Sequence, residues 1–439
     1  MVEGSSQPTV SQGRDVLKVT HVSTADNLGG AARSAYRLHK GLLKVGHTSR
    51  MWVGYKSVES SEIHGYISES PLGKRMLHRL VFELADCLCL QYVFPWPLEV
   101  LNHPFVRSAD IINLHNTHGN YFSHTLLPLL SKSHRIVWTL HDMWPLTGHC
   151  AYSYDCGRWK TGCGHCPILS DYPALPQDTT ALLWRVKKWL YARSDLTIVA
   201  PSRWLADLAR QSPLLGRFNV HHIPYGLDLE VFSPLPQKIA RELLGLPQGI
   251  PLILFGAQFL KERRKGTTQF LDALRSLIHR DHYTGGVVTL GAGGSELELP
   301  RGLAWFHLGS ISDDRLLRAA YSAADVFVCA SPVDNLPNTV LESLACGVPV
   351  VAFNIGGIPD MVSHLETGYL ASPNDTTDLA AGIRLLLENR ELGCRLGQSA
   401  RRKAECEYGL TLQAKRYEDL YYSMLSEREP IQIRNAVRV

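Results

Sequence analysis

No uninterrupted apolar run in this chain reaches the roughly 18 residues that crossing a bilayer takes. The nearest stretch, Leu80 to Leu98, carries Glu83 and Asp86 and is broken by Pro95 and Pro97. It reads as an amphipathic core helix, with an interfacial membrane contact as the alternative. The opening residues MVEGSSQPTVSQ hold no apolar segment, so residues 1–14 read as a disordered tail and not as a secretory signal. Neither sign of charge dominates: 45 Lys and Arg against 41 Asp and Glu leave +4, compatible with anionic ligands or a membrane surface but too weak to imply nucleic acid. Low-complexity tracts and short repeats are missing too. With 45% hydrophobic and 20% charged residues the chain is neither disordered nor fibrous. Ten cysteines without a secretion signal point to the cytosol, where clustered thiols mean metal more often than disulfide.

What is present is organised around Ala324–Asp360, ADVFVCASPVDNLPNTVLESLACGVPVVAFNIGGIPD. DVFVCAS has strand length, and Val340, Leu341, Leu344 and Ala345 recur at the spacing of one buried helix face. Pro337 can start that helix and Gly347 can stop it. VPVVAF returns as a continuous apolar strand, as parallel strands covered on both faces do. Such a unit puts a helix N-terminus at the carboxyl end of a strand, where open α/β sheets bind ligands. Asp334 and Glu342 flank that helix start.

The rest of the 439 residues repeats the theme. VLKVTHVS leads through TADNLGGA into a helix, placing Gly29 and Gly30 at a sharp turn that serves either a close ligand or nothing beyond the turn. MWVGYKS, ADIINLHN and HRIVWTL read as further strands, the last ending on His141 and Asp142. His141 fits either a satisfied histidine at a strand end or a functional one on the ligand edge. In the second half IPLILFGAQFL runs into Lys261, Arg263, Arg264 and Lys265, four cations at a strand-to-helix junction opened by Gly266. They are either a solvated charge run or a place to neutralise a diphosphate. The alternation predicts two doubly wound, Rossmann-like parallel-sheet domains of an α/β protein facing across a cleft. The expected division is an N-terminal domain over 15–228, a linker over 229–249, a C-terminal domain over 250–410, and over 411–439 a helix and tail, with the helix able to cross back to the first domain.

One segment departs from this pattern. Residues 149–167, HCAYSYDCGRWKTGCGHCP, gather Cys150, Cys156, Cys163 and Cys166, separated by five, six and two residues, beside His149 and His165. Four soft ligands so close suit a tetrahedral structural zinc, with an iron–sulfur cluster as the weaker option. Unligated thiols and local disulfides are the alternatives. Zinc here would staple an excursion too poor in apolar residues to hold itself.

Taken together, HVSTADNLGGAARSAYRLHKGL, LHDMW, VAPSRWLADLA, HHIPYGLDLEVFSP, RRKGTTQFLDAL and DNLPNTVLESLACGVPVVAFNIGGIPDMV resemble the retaining glycosyltransferases of family 4, with the GT-B fold. TLHDMWPLTGHCAYSYDCGRWKTGCGHCP resembles a variant in the branch that assembles exopolysaccharides of the colanic-acid type. The resemblance implies a nucleotide-diphosphate sugar donor, a glycan or polyprenyl-linked saccharide acceptor, and a cytoplasmic enzyme, with peripheral contact at the inner face of the plasma membrane as an option. It places the family's second motif glutamate on Glu342, for the ribose hydroxyls, and its first on Asp334, one methylene shorter. The amides of Asn335, Leu336, Pro337, Asn338 and Thr339, of which Pro337 has no N–H to give, and the helix behind them would hold the sugar and diphosphate. Gly29 and Gly30 match the loop that approaches the donor phosphate, His141 the histidine beside the donor sugar, and Lys265 the lysine that stabilises the leaving diphosphate. The family's usual arginine is missing, because Ala257 and Gln258 follow Gly256; Arg264 or Arg263 is the expected substitute. The chemistry implied is retaining transfer with no catalytic metal. The rivals are a GT-B relative such as a nucleotide-sugar epimerase or a phosphorylase, and a non-catalytic nucleotide-binding subunit of an assembly complex.

Overall fold

The computed structural model describes residues 15–90, 92–94, 98–281, 283–294 and 297–427. The expected N-terminal tail lies outside them. The first half forms a seven-stranded sheet from β1 (Lys18–Ala25), β2 (Thr48–Tyr55), β3 (Ile63–Gly65), β4 (Ile111–Leu114), β5 (Arg135–Thr139), β6 (Thr197–Ala200) and β7 (Val220–His222), in the order β3-β2-β1-β4-β5-β6-β7. The second half forms a six-stranded sheet from β8 (Leu252–Phe259), β9 (Gly286–Ala292), β10 (Ala304–His307), β11 (Val326–Cys329), β12 (Val350–Phe353) and β13 (Gly368–Ala371), in the order β10-β9-β8-β11-β12-β13. All the pairings between these strands are parallel. This is the expected pair of Rossmann-like domains.

Strand order reverses between β1 and β4 in one sheet and between β8 and β11 in the other, and the crevice at such a switch point is where open α/β sheets bind ligands. The loops leaving these four strands carry Gly29, His115, Lys265 and Asp334. Burial follows the strand period of two: Ile111, Val137 and Val199 face one layer, while Ile112, Ile136, Trp138 and Ile198 face the other. In the central unit all four residues of β11 and of β12 are buried. The helix between them runs Asn338–Ala345, with Pro337 at its N-cap and Gly347, at φ +72°, just past its end.

The last helix, Leu410–Ser426, leaves the second half and packs on the first sheet, where Ala414, Tyr417, Leu420 and Tyr421 join Val19, Ile111 and Val137. The Tyr421 hydroxyl accepts from Asn113 Nδ2 at 3.0 Å, and the Tyr417 hydroxyl bonds Thr139 Oγ1 at 2.9 Å. Where this chain crosses, it pairs with the earlier crossing: Leu227 N donates to Tyr408 O at 2.8 Å, and Leu410 N to Leu227 O at 2.9 Å. Within 229–249 lies a short helix, Gln237–Leu243, whose Arg241 forms a 2.9 Å ion pair with Asp325 beside β11.

One expectation is corrected. The apolar run near Leu80 belongs to a helix that starts earlier, Leu72–Cys87, and that is not a core helix. His78, Phe82 and Ala85 are its buried residues, whereas Leu72, Met76, Leu77, Leu80 and Leu84, with Leu88 just beyond, are half or more exposed. The pattern is amphipathic, but most of its large apolar side chains face outward.

Candidate active site in the interdomain cleft

The loop after β11 carries Asp334 into a buried position. Its Oδ2 lies 2.8 Å from Lys265 Nζ and 3.1 Å from Arg264 Nη1, while Oδ1 accepts from Asn335 N at 2.9 Å and from the Tyr152 hydroxyl at 3.4 Å. Burial alone would raise this carboxyl's pKa, but Lys265 and Arg264 hold it below the ordinary aspartate value. Arg264 is partly buried, which disfavours its charge, and Asp334 leads the neighbours that more than offset this and keep it charged. Its guanidinium carbon sits 4.9 Å from the centroid of the Tyr152 ring, and that of Arg263 5.2 Å from the Tyr154 ring. Arg264, and not Arg263, is therefore the arginine drawn into the site beside Lys265. Glu262 Oε1 also lies 2.8 Å from Arg264 Nε, so the two cations face two carboxylates, and an anionic ligand would share Lys265 and Arg264 with them.

A pH dependence follows. The folded-state pKa of Asp334 lies below its unfolded value, so its contribution to stability is present above the ordinary aspartate range and lost as pH falls through the lowered folded value. Asp334→Asn should destabilise strongly near pH 7, and the gap to wild type in chemical denaturation should narrow steadily below about pH 4. A gap constant from pH 7 to pH 3 would refute the ion-pair account.

Eight residues further on, inside the helix Asn338–Ala345, Glu342 is buried. Its Oε1 accepts from Arg37 Nη2 of the first domain at 2.7 Å, and its Oε2 from the Tyr321 hydroxyl at 2.9 Å. Asn338 Nδ2 donates to Gly30 O at 2.9 Å and approaches Ser34 Oγ at 3.1 Å. The cleft is thus bridged by the helix Gly30–Lys44, whose Gly30, Ser34 and Arg37 share one face. Gly29 has φ +93°, a left-handed value that glycine adopts freely, and a Cβ there would sit 3.4 Å from Gln258 of the second domain.

Asn335 also spans the domains: its Nδ2 donates to His141 O at 3.0 Å and its Oδ1 accepts from Ser202 Oγ at 2.5 Å. The His141 ring lies in a buried chain. Its Nε2 bonds His115 Nδ1 at 2.9 Å, His115 Nε2 bonds His21 Nδ1 at 2.9 Å, and His141 Nδ1 bonds the Tyr225 hydroxyl at 2.6 Å. Burial pushes His141 down to about 4, against the pull of Asp142, so the imidazole is neutral near pH 7. Both ring nitrogens are engaged by protein, and it is the main-chain carbonyl of His141 that meets the second domain.

Two family models divide the chain between them. "Glycosyltransferase Family 4" matches residues 28–231 and "Glycosyl transferases group 1" matches residues 250–389. The chain is a family 4 glycosyltransferase of the GT-B fold. It is 29% identical to the putative colanic acid biosynthesis glycosyl transferase WcaC of Escherichia coli over 74% of this chain and 80% of that protein. It is 34% identical to a D-inositol 3-phosphate glycosyltransferase of Geodermatophilus obscurus over 42% of each chain. Among solved structures, the sucrose-phosphate synthase of Thermosynechococcus elongatus superposes with a TM-score of 0.65 at 18% identity, over 94% of this chain and all of that one. Anabaena Alr3699/HepE in complex with UDP-glucose gives 0.62 at 16%, with the same coverage. At such identities the structural likeness speaks for the fold.

In this glycosyltransferase, Asp334, Lys265 and Arg264 meet at one point, while Glu342, Asn338 and Gly30 meet at a second. Leu336 turns its side chain into the core of the second domain. Arg37, Tyr321, Tyr152, Tyr225 and His115 were not read from the sequence as site residues. Arg37 lies seven positions after Gly30, on the same helical face, and that spacing was the available signal. Tyr152 carries none, because its placement depends on the path of an irregular segment. Among the described residues no three His, Cys, Asp or Glu side chains already converge as a metal-holding group, so neither the zinc nor the iron–sulfur reading has a preformed site.

Proposed function

We propose that this glycosyltransferase moves a sugar from a nucleotide diphosphate, with a uridine diphosphate sugar as the first choice, to a glycan or polyprenyl-linked saccharide, with retention at the anomeric carbon. The observation that carries the reading is the pairing of Lys265 and Arg264 on Asp334 at the carboxyl end of β11, two fixed cations in a cleft between two Rossmann-like sheets. Charge that builds on the leaving diphosphate would be met by Lys265 Nζ, by Arg264 and by the amides before the helix Asn338–Ala345, a preorganised set able to act without a divalent ion. A leaving phosphate oxygen is then the base within reach of the acceptor proton, and no protein nucleophile is assigned. Glu342 would take the ribose hydroxyls: each carboxylate oxygen has two lone pairs, so it can accept from ribose while holding Arg37 and Tyr321. Similarity to WcaC and to the structure containing UDP-glucose supports polysaccharide assembly and a uridine nucleotide.

A panel of nucleotide sugars read by thermal shift, followed by transfer to lipid-linked acceptors, tests the reading, since a donor that binds the native state raises its melting temperature. Glu342→Ala should weaken nucleotide binding about tenfold or more, the loss of one charge-assisted contact. Unchanged affinity would remove the ribose role, and donor turnover to an epimer without acceptor would replace transfer altogether.

The localisation proposed is cytoplasmic with peripheral attachment. The exposed Leu72, Met76, Leu77, Leu80 and Leu84, interleaved with Lys74, Arg75 and Arg79, form a face suited to an anionic bilayer surface. Among the described residues no helix is long and apolar enough to cross a membrane. Flotation with phosphatidylglycerol vesicles should carry the wild type, and Leu80→Glu/Leu84→Glu should leave it in solution.

A further inference from the structure

The cysteine-rich segment is not used by the chemistry above, yet it is tied to the cleft. Cys150, Cys156, Cys163 and Cys166 line one cavity of about 20 Å³ together with His149 and Arg158, room for a single water-sized body. Three features of this cavity distinguish among its donors.

First, His149 Nδ1 lies 2.8 Å from Pro173 O. A carbonyl only accepts, so Nδ1 carries the proton and Nε2 presents a bare lone pair. That tautomer, with the far nitrogen donating to a main-chain carbonyl, is the one metal-bound imidazoles adopt. Nε2 faces Cys166 Sγ at 3.2 Å, close to the roughly 3.5 Å between a nitrogen and a sulfur on one tetrahedral zinc. Second, Cys163 Sγ accepts the Gly148 N–H at 3.2 Å, a bond that favours a thiolate. Third, Lys187 is buried beside the cluster, its Nζ donating to Trp144 O at 2.7 Å and Thr147 O at 3.0 Å and set 3.4 Å from the Trp144 ring centroid.

We infer that this cavity is a closed zinc site of the three-thiolate, one-imidazole class, held by His149, Cys156, Cys163 and Cys166, with Cys150 left as a buried thiol. Geometry selects this set over four thiolates: His149 Nε2 already turns a bare lone pair toward Cys166 Sγ, from a tautomer fixed by Pro173 O. Zn²⁺ with three thiolates carries −1, in a cavity that Arg158 lines and Lys187 adjoins. Completing the set requires rotation of thiols that already line the cavity. The ion joins residues far apart in the segment and so fixes the stretch between His149 and Cys156, which presents Tyr152 to Asp334 and Tyr154 to Arg263.

The test is metal analysis of the full chain purified under reducing conditions with zinc supplied. Wild type should hold about one zinc per chain, Cys150→Ser should keep it, and Cys163→Ser and His149→Ala should lose most of it. His149→Cys, which supplies a thiolate in place of the imidazole, should recover it even if the alanine variant folds poorly. Cobalt-substituted wild type should show sulfur-to-metal charge transfer of three-thiolate intensity. A wild type without stoichiometric zinc, a four-thiolate cobalt spectrum, or zinc lost in Cys150→Ser but retained in His149→Ala would each overturn the assignment.

Discussion

Replacing Lys265 with alanine should lower turnover of a nucleotide-sugar donor by about 10²–10³-fold, with a much smaller effect on nucleotide affinity. The reasoning rests on where the ammonium sits. Lys265 Nζ is 2.8 Å from Asp334 Oδ2 in a buried pocket, so its charge is fixed in place before donor arrives and costs no reorganisation when the diphosphate departs. A cation of this kind stabilises the transition state more than the ground state, because negative charge on the leaving oxygen is greatest there. The variant should still fold, since Arg264 Nη1 remains 3.1 Å from the same carboxylate and leaves Asp334 paired. Steady-state kcat and KM for the donor, together with a melting curve, separate the two effects. A fall confined to KM would make Lys265 a binding residue only, and unchanged turnover would end the charge-stabilisation account.

The second large effect is expected at the neighbouring residue and acts through the backbone. Gly266 follows the short turn Arg263–Lys265 at φ +74°, and a Cβ built there would lie 1.7 Å from the carbonyl oxygen of Ala330. Left-handed backbone alone costs an L-residue roughly 1–2 kcal/mol. The overlap has no flexible side chain to absorb it, because the obstacle is the main chain just after β11. Gly266→Ala should therefore destabilise by about 3 kcal/mol, a melting-temperature loss of roughly 6–12 °C for a domain of this size. Whatever folds should also be impaired in turnover, since a displacement of about 1 Å in the turn moves both Arg264 and Lys265. A melting temperature within a degree of wild type would show that the two chain segments can part without penalty.

The parts of this structure legible in the sequence are those set by local pattern. Continuous apolar runs such as VFVC and VVAF became central parallel strands, and Pro337 and Gly347 bounded the helix between them, because each signal acts within a few residues. Lys265, and Arg264 or Arg263 beside it, could be nominated because the family resemblance falls on a charge cluster at a strand-to-helix junction, although a solvated charge run reads the same way. What stayed hidden depends on contacts between distant segments. Arg37 meets Glu342 across 305 positions, and neither residue's neighbours announce the other. The ring of His141 is fixed by His115 and Tyr225, which no spacing rule connects. The helix Leu72–Cys87 misled for another reason: hydrophobic periodicity marks an amphipathic face without saying whether protein or solvent lies against it.

The paired crossings at Leu227 and at Tyr408–Leu410 bear on how the cleft can move. A single connecting strand would act as a swivel and let one lobe rotate about it in any direction. Here two covalent strands run side by side and are hydrogen-bonded to each other, so twisting one lobe against the other would shear the bonds between them. Bending about a line through the two remains cheap. Opening is thereby reduced to something near a single degree of freedom, a door on a two-pin hinge. Its closing edge is the row formed by Arg37 on Glu342, Asn338 on Gly30 and Asn335 on His141.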